Sequence, residues 1–302
     1  MTNILVTGGT GLIGKQLCLQ LREKGYNIFV LSRSYSNNPN TYYWNVEDGF
    51  IEPKAIEDAH FIIHLAGASI AESRWTKARK RELINSRIKS TKLLFQKIRV
   101  LNPQLKGFIA ASGIGYYGAI TSEKIFTEND AVGTDFLATI CKLWEKESMK
   151  FNTINIRTVV LRTGIVLSKN GGALEKISKP IKLGLGSSLG TGNQHVPWIH
   201  ITDLCNMYIY AIEHSKLNGI YNAVSPEPTT NMELTNSIAQ SLHKKIRLPN
   251  TPNIVLKALL GKMAVILLEG SRVSSEKITA SGFKFKYQNL KEALNNLNTH
   301  TQ

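Results

Sequence analysis

Apolar and polar positions along the first half of the chain fall into two alternating patterns. Short apolar runs, NILVTG (3–8), NIFVLS (27–32), HFIIHLAG (60–67), GFIAASG (107–113) and TVVLRTGIVL (158–167), read as strands. Between them stand segments of helical periodicity, over about 12–24, about 76–98 and in TDFLATICKLWEKE (134–147). In the last, the apolar positions are Phe136, Leu137, Ile140, Leu143 and Trp144, and Thr134 or Asp135 suits its N-cap. Several runs are apolar throughout, the pattern of strands covered by helices on both faces. Strand–helix alternation of this kind predicts an α/β fold with a doubly wound parallel sheet.

After residue 168 the pattern loosens into the turn-rich stretches SKNGGALEK, LGLGSSLGTGN and SPEPTT. HVPWIHITDL (195–204) and GIYNAV (219–224) read as strands returning to the first sheet. The expected division is a Rossmann unit over 1–168 rejoined by 195–225, and a smaller C-terminal unit over 226–302 to which 169–194 contributes. IVLKALLGKMAVILLEG (254–270) is interrupted by Lys257 and Lys262, so no membrane span is expected there. No repeat or low-complexity segment is present.

Composition narrows the class. Hydrophobic residues make up 42% and charged residues 20%, as in soluble globular proteins. Three widely spaced cysteines (Cys18, Cys141, Cys205) do not make a disulfide framework, no signal peptide is expected, and a reducing cytoplasm fits best. The net charge of +15 is compatible with anionic partners. Its densest basic run, from Arg74 to Arg99, is spread around a helix and comes with no nucleic-acid motif, so no specific nucleic-acid partner is expected.

TGGTGLIG (7–14) stands between the first strand and the first helix. Gly8 permits a tight turn, Gly11 lets a pyrophosphate approach the backbone, and Gly14 allows close packing. The helix start, with Thr10, Leu12 and Ile13, offers N–H groups to phosphates. The second strand ends in VLSRS (30–34), which puts Ser32 and Arg33, not a carboxylate, where ribose hydroxyls are usually bound. A cation there attracts a 2′-phosphate, so NADP(H) is the expected cofactor; the alternative is an exposed strand-end arginine.

With these motifs go HLAGASI (64–70), RWTKARKRELINSRIKST (74–91), SGIGYYG (112–118), LWE (143–145), LRTGIVLSKNGGAL (161–174), GLGSSLGTGNQHVPWIHITDL (184–204) and LLEGSRV…GFKF (267–285). Together they resemble the extended short-chain dehydrogenase/reductase superfamily, in its atypical branch of epimerase-family proteins with a C-terminal domain of unknown function. The resemblance spans nearly the whole chain. It implies cofactor contacts from Leu65 and Ala66 on the adenine-ribose side, from Glu82 and Arg87 on the long helix, and from Leu167 on the nicotinamide side. Arg87 also suits a phosphate on chemical grounds, or is a surface helix charge.

The superfamily's Tyr-x-x-x-Lys pair is missing. Registered on Glu145, its positions are Leu137 and Cys141, and the usual serine position is Gly113. Ser112, Tyr116 and Tyr117 are the remaining catalytic candidates at the end of a central strand, or else they only pack there. His195, Trp198, His200 and Asp203 bring polar groups to the later segment, with structural histidines the simpler reading. No set of side chains has metal-ligand spacing. Two functions compete: an oxidoreductase or epimerase-like protein acting on an unknown small molecule, and a catalytically degenerate NADPH-binding regulator.

Overall fold

The computed structural model describes residues 1–298. Its strands are β1 (Asn3–Thr7), β2 (Asn27–Ser32), β3 (Thr41–Asn45), β4 (Phe50–Ile51), β5 (Phe61–His64), β6 (Gly107–Gly113), β7 (Ile125–Phe126), β8 (Thr158–Thr163), β9 (Ile165–Leu167), β10 (Trp198–His200), β11 (Gly219–Ala223) and β12 (Arg272–Val273). The helices that matter below are α1 (Leu12–Glu23), α2 (Pro53–Glu57), α3 (Lys77–Leu101), α4 (Phe136–Met149), α5 (Ala173–Lys182), α6 (Ile201–Glu213), α7 (Asn231–Ser241), α8 (Asn253–Leu260), α9 (Val265–Leu268), α10 (Glu276–Ala280) and α11 (Leu290–Asn298).

Eight strands form one sheet in the order β11-β8-β6-β5-β1-β2-β3-β4, parallel except for the β3–β4 pair. The expected doubly wound α/β architecture is present. The strand order reverses between β1 and β5, and a ligand crevice opens at the carboxyl ends of strands at such a point. Two apolar clusters cover the two faces. One joins β1, α1 and α6 through Ile4, Leu17, Leu204 and Met207, and the other joins β5, β6 and α3 through Ile62, Phe108, Leu94 and Ile98.

The sequence pattern and the structure differ at three places. TVVLRTGIVL is two strands, β8 and β9, broken at Gly164, where a Cβ would lie 2.5 Å from the Pro197 carbonyl oxygen. HVPWIHITDL does not rejoin the first sheet: only Trp198–His200 is extended, it pairs with β9 in a separate two-stranded sheet, and the chain then enters α6. The change of direction has a local cause, because His200 Nδ1 accepts from the Thr202 amide and so caps the helix. GIYNA does rejoin, as β11 beside β8. The short strands β3 and β4 extend the sheet beyond the apolar runs.

A third cluster joins Leu167, Leu174, Ile181 and Trp198 to Leu234, Ile238, Leu290 and Leu294, so the later segments share an apolar core of their own. Asp203 ties them to α6, its buried carboxylate accepting from the Lys286 amide at 2.7 Å and the Tyr287 amide at 2.9 Å. Among the described residues, no helix is long and apolar enough to cross a membrane.

Candidate functional site

The glycine loop follows β1 at the switch point. Gly8 has φ +70°, which favours glycine, and a Cβ there would meet the Leu65–Ala66 backbone at 3.0 Å. Gly14 packs against the loop itself, since its Cβ would lie 2.2 Å from the Gly8 oxygen. Gly11 is different: a Cβ there meets only the Gly8 oxygen, at 3.3 Å, and otherwise projects into open space. It is the N-cap of α1, with no side-chain cap and no acidic residue in the first turn. The N–H groups of that turn, in the Leu12–Ile13–Gly14 segment, are the kind of helix end that suits an anion.

Across the crevice the backbone of Leu65 and Ala66 is held by Thr7. Its hydroxyl accepts from the two amides at 3.2 and 3.1 Å and lies 2.7 Å from His64 Nδ1. Ser90 and Thr91 donate their hydroxyls to backbone carbonyls and lie 3.2 and 3.1 Å from His64 Nε2. Neutral His64 with its proton on Nε2 satisfies every one of these groups. Burial and then the Arg87 charge hold its pKa down to about 3.

Beside the loop a cavity of about 400 Å³ opens between α1 and the segment after β2. Gly9, Thr10, Lys15, Arg22, Ser32, Ser34, Asn38 and Asn40 line it. Two cations and several hydroxyl and amide groups suit a phosphate with an attached ribose. Arg33 is exposed and lies outside this lining. Lys15 and Arg22 escaped the sequence reading, although Lys15, Cys18 and Arg22 fall at helical spacing on one face of α1.

On α3, Glu82 is exposed and paired with Arg79 at 2.8 Å. Arg87 is only 7% exposed, its guanidinium donating to the carbonyls of Leu83 and Ala68 and lying over the Trp144 ring at 5.0 Å. Its Nε finds no partner. Burial pushes its pKa down to about 10, so it is charged at neutral pH. A buried cation without a carboxylate partner is a ready site for an anion or a ribose hydroxyl. Leu167 is fully buried in the third cluster.

The catalytic candidates sit at the end of β6. Ser112 Oγ donates to Glu145 Oε1 at 2.7 Å, and Arg162 forks onto the same carboxylate at 2.9 and 2.8 Å. Arg162 also donates to the Tyr117 hydroxyl at 3.0 Å, and that hydroxyl donates to Asn222 Oδ1 at 2.6 Å. Burial is the main cause that pushes the Tyr117 pKa up to about 12. Tyr116 is half-buried, with the Arg162 guanidinium 3.4 Å from its ring centre. The ion pair of Glu145 and Arg162 is a second group not expected from the sequence. An arginine inside the apolar run TVVLRT was the available sign, because a central strand buries it and it then needs a carboxylate.

The Leu137 side chain lies 3.1 Å from where a Gly115 Cβ would stand, and the Cys141 sulfur 3.7 Å from a Gly113 Cβ. Burial pushes the Cys141 thiol up to about 11. His200 is buried against Tyr287 and, mainly through burial, held down to about 4. His195 lines a larger cavity of about 670 Å³ between Arg272–Glu276 and Ser225–Thr229. None of the glycine-loop residues reaches that cavity, so it is not the nucleotide crevice. Among the described residues, no three His, Cys, Asp or Glu side chains gather in a way that holds a metal.

Comparison with known proteins gives a consistent picture. Residues 4–223 match the NAD dependent epimerase/dehydratase family, and residues 251–297 match a domain of unknown function, DUF1731. Epimerase family protein YfhF of Bacillus subtilis is 35% identical, with 98% of this chain and 97% of that protein covered. An epimerase family protein of Mycobacterium bovis is 34% identical, with 96% of each covered. Among solved structures, human epimerase family protein SDR39U1 with NADPH superposes with a TM-score of 0.90 at 29% identity, covering 99% of this chain and 100% of that one.

Proposed function

The chain belongs to the NAD-dependent epimerase/dehydratase family, and on that premise we propose that it binds NADP(H) and acts as an oxidoreductase or epimerase-like protein on a small molecule. The observation that carries the reading is the glycine loop: Gly8 and Gly14 are required by backbone approach, whereas Gly11 alone faces open space beside the α1 N-terminus. That is the space a pyrophosphate needs. Lys15 and Arg22 favour a 2′-phosphate in the adjoining cavity, and the NADPH in the human relative's structure supports the same choice. Leu65 and Ala66 border the adenine-ribose side and Arg87 the opposite wall. Glu82, paired with Arg79, belongs with the Arg87 side, and Leu167, fully buried, with the nicotinamide side.

Once bound, the nicotinamide would supply hydride chemistry; the chain's own residues bind, orient and move the proton. Ser112 and Tyr117 are committed to the buried network around Glu145 and Arg162 and serve as positioning residues. The Tyr116 phenol is the group we assign to proton transfer, because it is half-buried at the strand end and held by Arg162. A second reading, an NADPH-binding regulator without turnover, is favoured by Leu137 and Cys141 at the positions of the missing pair. The cofactor belongs with residues 1–168 and 195–225, and the substrate between them and the C-terminal segments. A reducing cytoplasm suits the three free, buried cysteines.

Gly11→Val tests the reading. It should abolish NADPH binding in calorimetric titration while the thermal unfolding curve stays close to that of the parent. A folded variant that binds NADPH as the parent does would move the cofactor out of this loop.

A further inference from the structure

We propose that the protein docks on the surface of an anionic lipid bilayer through α8 and the basic segments around it, lying on the membrane without crossing it; this does not rest on the cofactor reading above. Helix α8, NIVLKALL, is apolar around most of its circumference, with Lys257 its one charge, yet Leu256 is its one buried residue. Ile254 is 76% exposed, Leu259 62% and Val255 42%. A helix apolar on nearly every side is ordinarily covered on most of them, by protein or by lipid. At eight residues α8 is about 12 Å long, too short to span a bilayer. The chain beside it adds more apolar surface. Residues 181–192 and 246–253 run side by side: Leu189 bridges Thr251, the Asn250 side-chain amide donates to the Thr191 carbonyl at 3.1 Å, and a Cβ at Gly186 would stand 3.0 Å from the Ile246 side chain. On these segments Leu183, Leu185 and Leu248 are exposed.

Charge follows the same boundaries. From 176 to 202 and from 234 to 268 the sequence has no Asp or Glu. Lys179 and Lys182 on α5, and Lys244, Lys245 and Arg247 ahead of α8, are exposed, as are Lys257 on α8 and Lys262 just after it. None of these side chains has an ion-pair or hydrogen-bond partner among the described residues. Such a face attracts negative charge and repels a second copy of itself. Its composition separates a bilayer from an acidic protein. Protein interfaces are enriched in aromatic residues and depleted in lysine. Here the exposed groups are aliphatic side chains and mostly lysines, and the one Trp, Tyr or Phe in the two stretches, Trp198, is buried. Aliphatic side chains that enter the headgroup boundary, flanked by lysines that meet anionic headgroups, are the pattern of a helix lying on a membrane.

The test sediments the full-length protein with mixed phosphatidylglycerol–phosphatidylcholine vesicles and with phosphatidylcholine vesicles alone. The expected result is binding at least about tenfold tighter to the anionic vesicles, weakening as NaCl is raised. Lys257→Glu and, separately, the double variant Ile254→Ser/Leu259→Ser should each weaken it about tenfold or more, with thermal unfolding close to that of the parent because all three residues are exposed. Lys92→Glu is the control for overall charge. Lys92 is exposed on α3, about 22 Å along that helix from Lys77, and its change should weaken binding less than about threefold. Should the double variant fail to fold, Lys257→Glu decides against the same control. No binding to anionic vesicles, equal binding to both kinds, folded variants that bind as the parent does, or a loss with Lys92→Glu as large as with Lys257→Glu would each overturn the inference. So would a dimer in solution that Ile254→Ser/Leu259→Ser dissociates, which assigns the face to a second copy of the chain.

Discussion

Tyr116 and Tyr117 carry the same side chain in opposite situations. The Tyr117 hydroxyl is buried, donates to Asn222 and accepts from Arg162. Tyr117→Phe removes a partner from both, and should cost about 1–3 kcal/mol in denaturant unfolding with NADPH affinity unchanged. Tyr116→Phe should leave stability within about 0.5 kcal/mol, because the ring and its contact with Arg162 are kept. No sequence pattern separates the two phenols, since the difference comes from Asn222 on β11 and Arg162 on β8. The cations near the glycine loop make a similar point. Arg33 is the cation expected from the motif, yet Lys15 and Arg22 are the ones that line the cavity. Lys15→Glu should weaken NADPH more than NADH, by roughly 10- to 150-fold for one charge-assisted contact of roughly 1.5–3 kcal/mol. Equal losses for the two cofactors in calorimetry would remove Lys15 from 2′-phosphate recognition.

Helix α4 shows what was legible at the scale of an element. Its periodicity and its cap are plain in the sequence, and Asp135 does accept from the Ala138 amide. Its role is less plain. It brings Glu145, which neutralises Arg162 with both side chains nearly inaccessible to water. Glu145→Ala leaves that guanidinium buried and unpaired, and should destabilise the protein by about 3–5 kcal/mol in denaturant unfolding. Cys141→Ala removes one small buried group, and should cost about 1 kcal/mol with NADPH affinity kept. A catastrophic effect of Cys141→Ala and a mild one of Glu145→Ala would reverse the assigned roles. HVPWIHITDL misled for a physical reason. Its alternation is that of a strand, but a strand's partner is chosen by the chain break at Gly164, which no local pattern reveals.

At the scale of the whole molecule, the parallel sheet, its switch point and the glycine loop were legible, because buried parallel strands and phosphate loops leave dense local signatures. The shared core of the later segments was not, since it joins β9 and β10 to α7 and α11 across long sequence separations. Burial also sets a pH response. His64 and His200 are held down to about 3 and 4, against an ordinary value of 6.5, so both are neutral in the folded protein above those values. Their contribution is complete above about pH 6.5. As pH falls below it the unfolded chain takes up protons first, so stability drops toward pH 4, by up to roughly 1.4 kcal/mol per pH unit for each histidine. Asp203, raised by burial, works in the opposite sense and offsets part of this. Unfolding midpoints at pH 7 and pH 5 check it, and His200→Gln should flatten the slope.

One binding event at the glycine loop underlies the proposed function. Parallel calorimetric titrations of the protein with NADPH and with NADH, at one salt concentration, test it most directly. The prediction is one saturable site that binds NADPH tighter than NADH by about tenfold or more. Equal affinities, a preference for NADH, or no binding of either would contradict it.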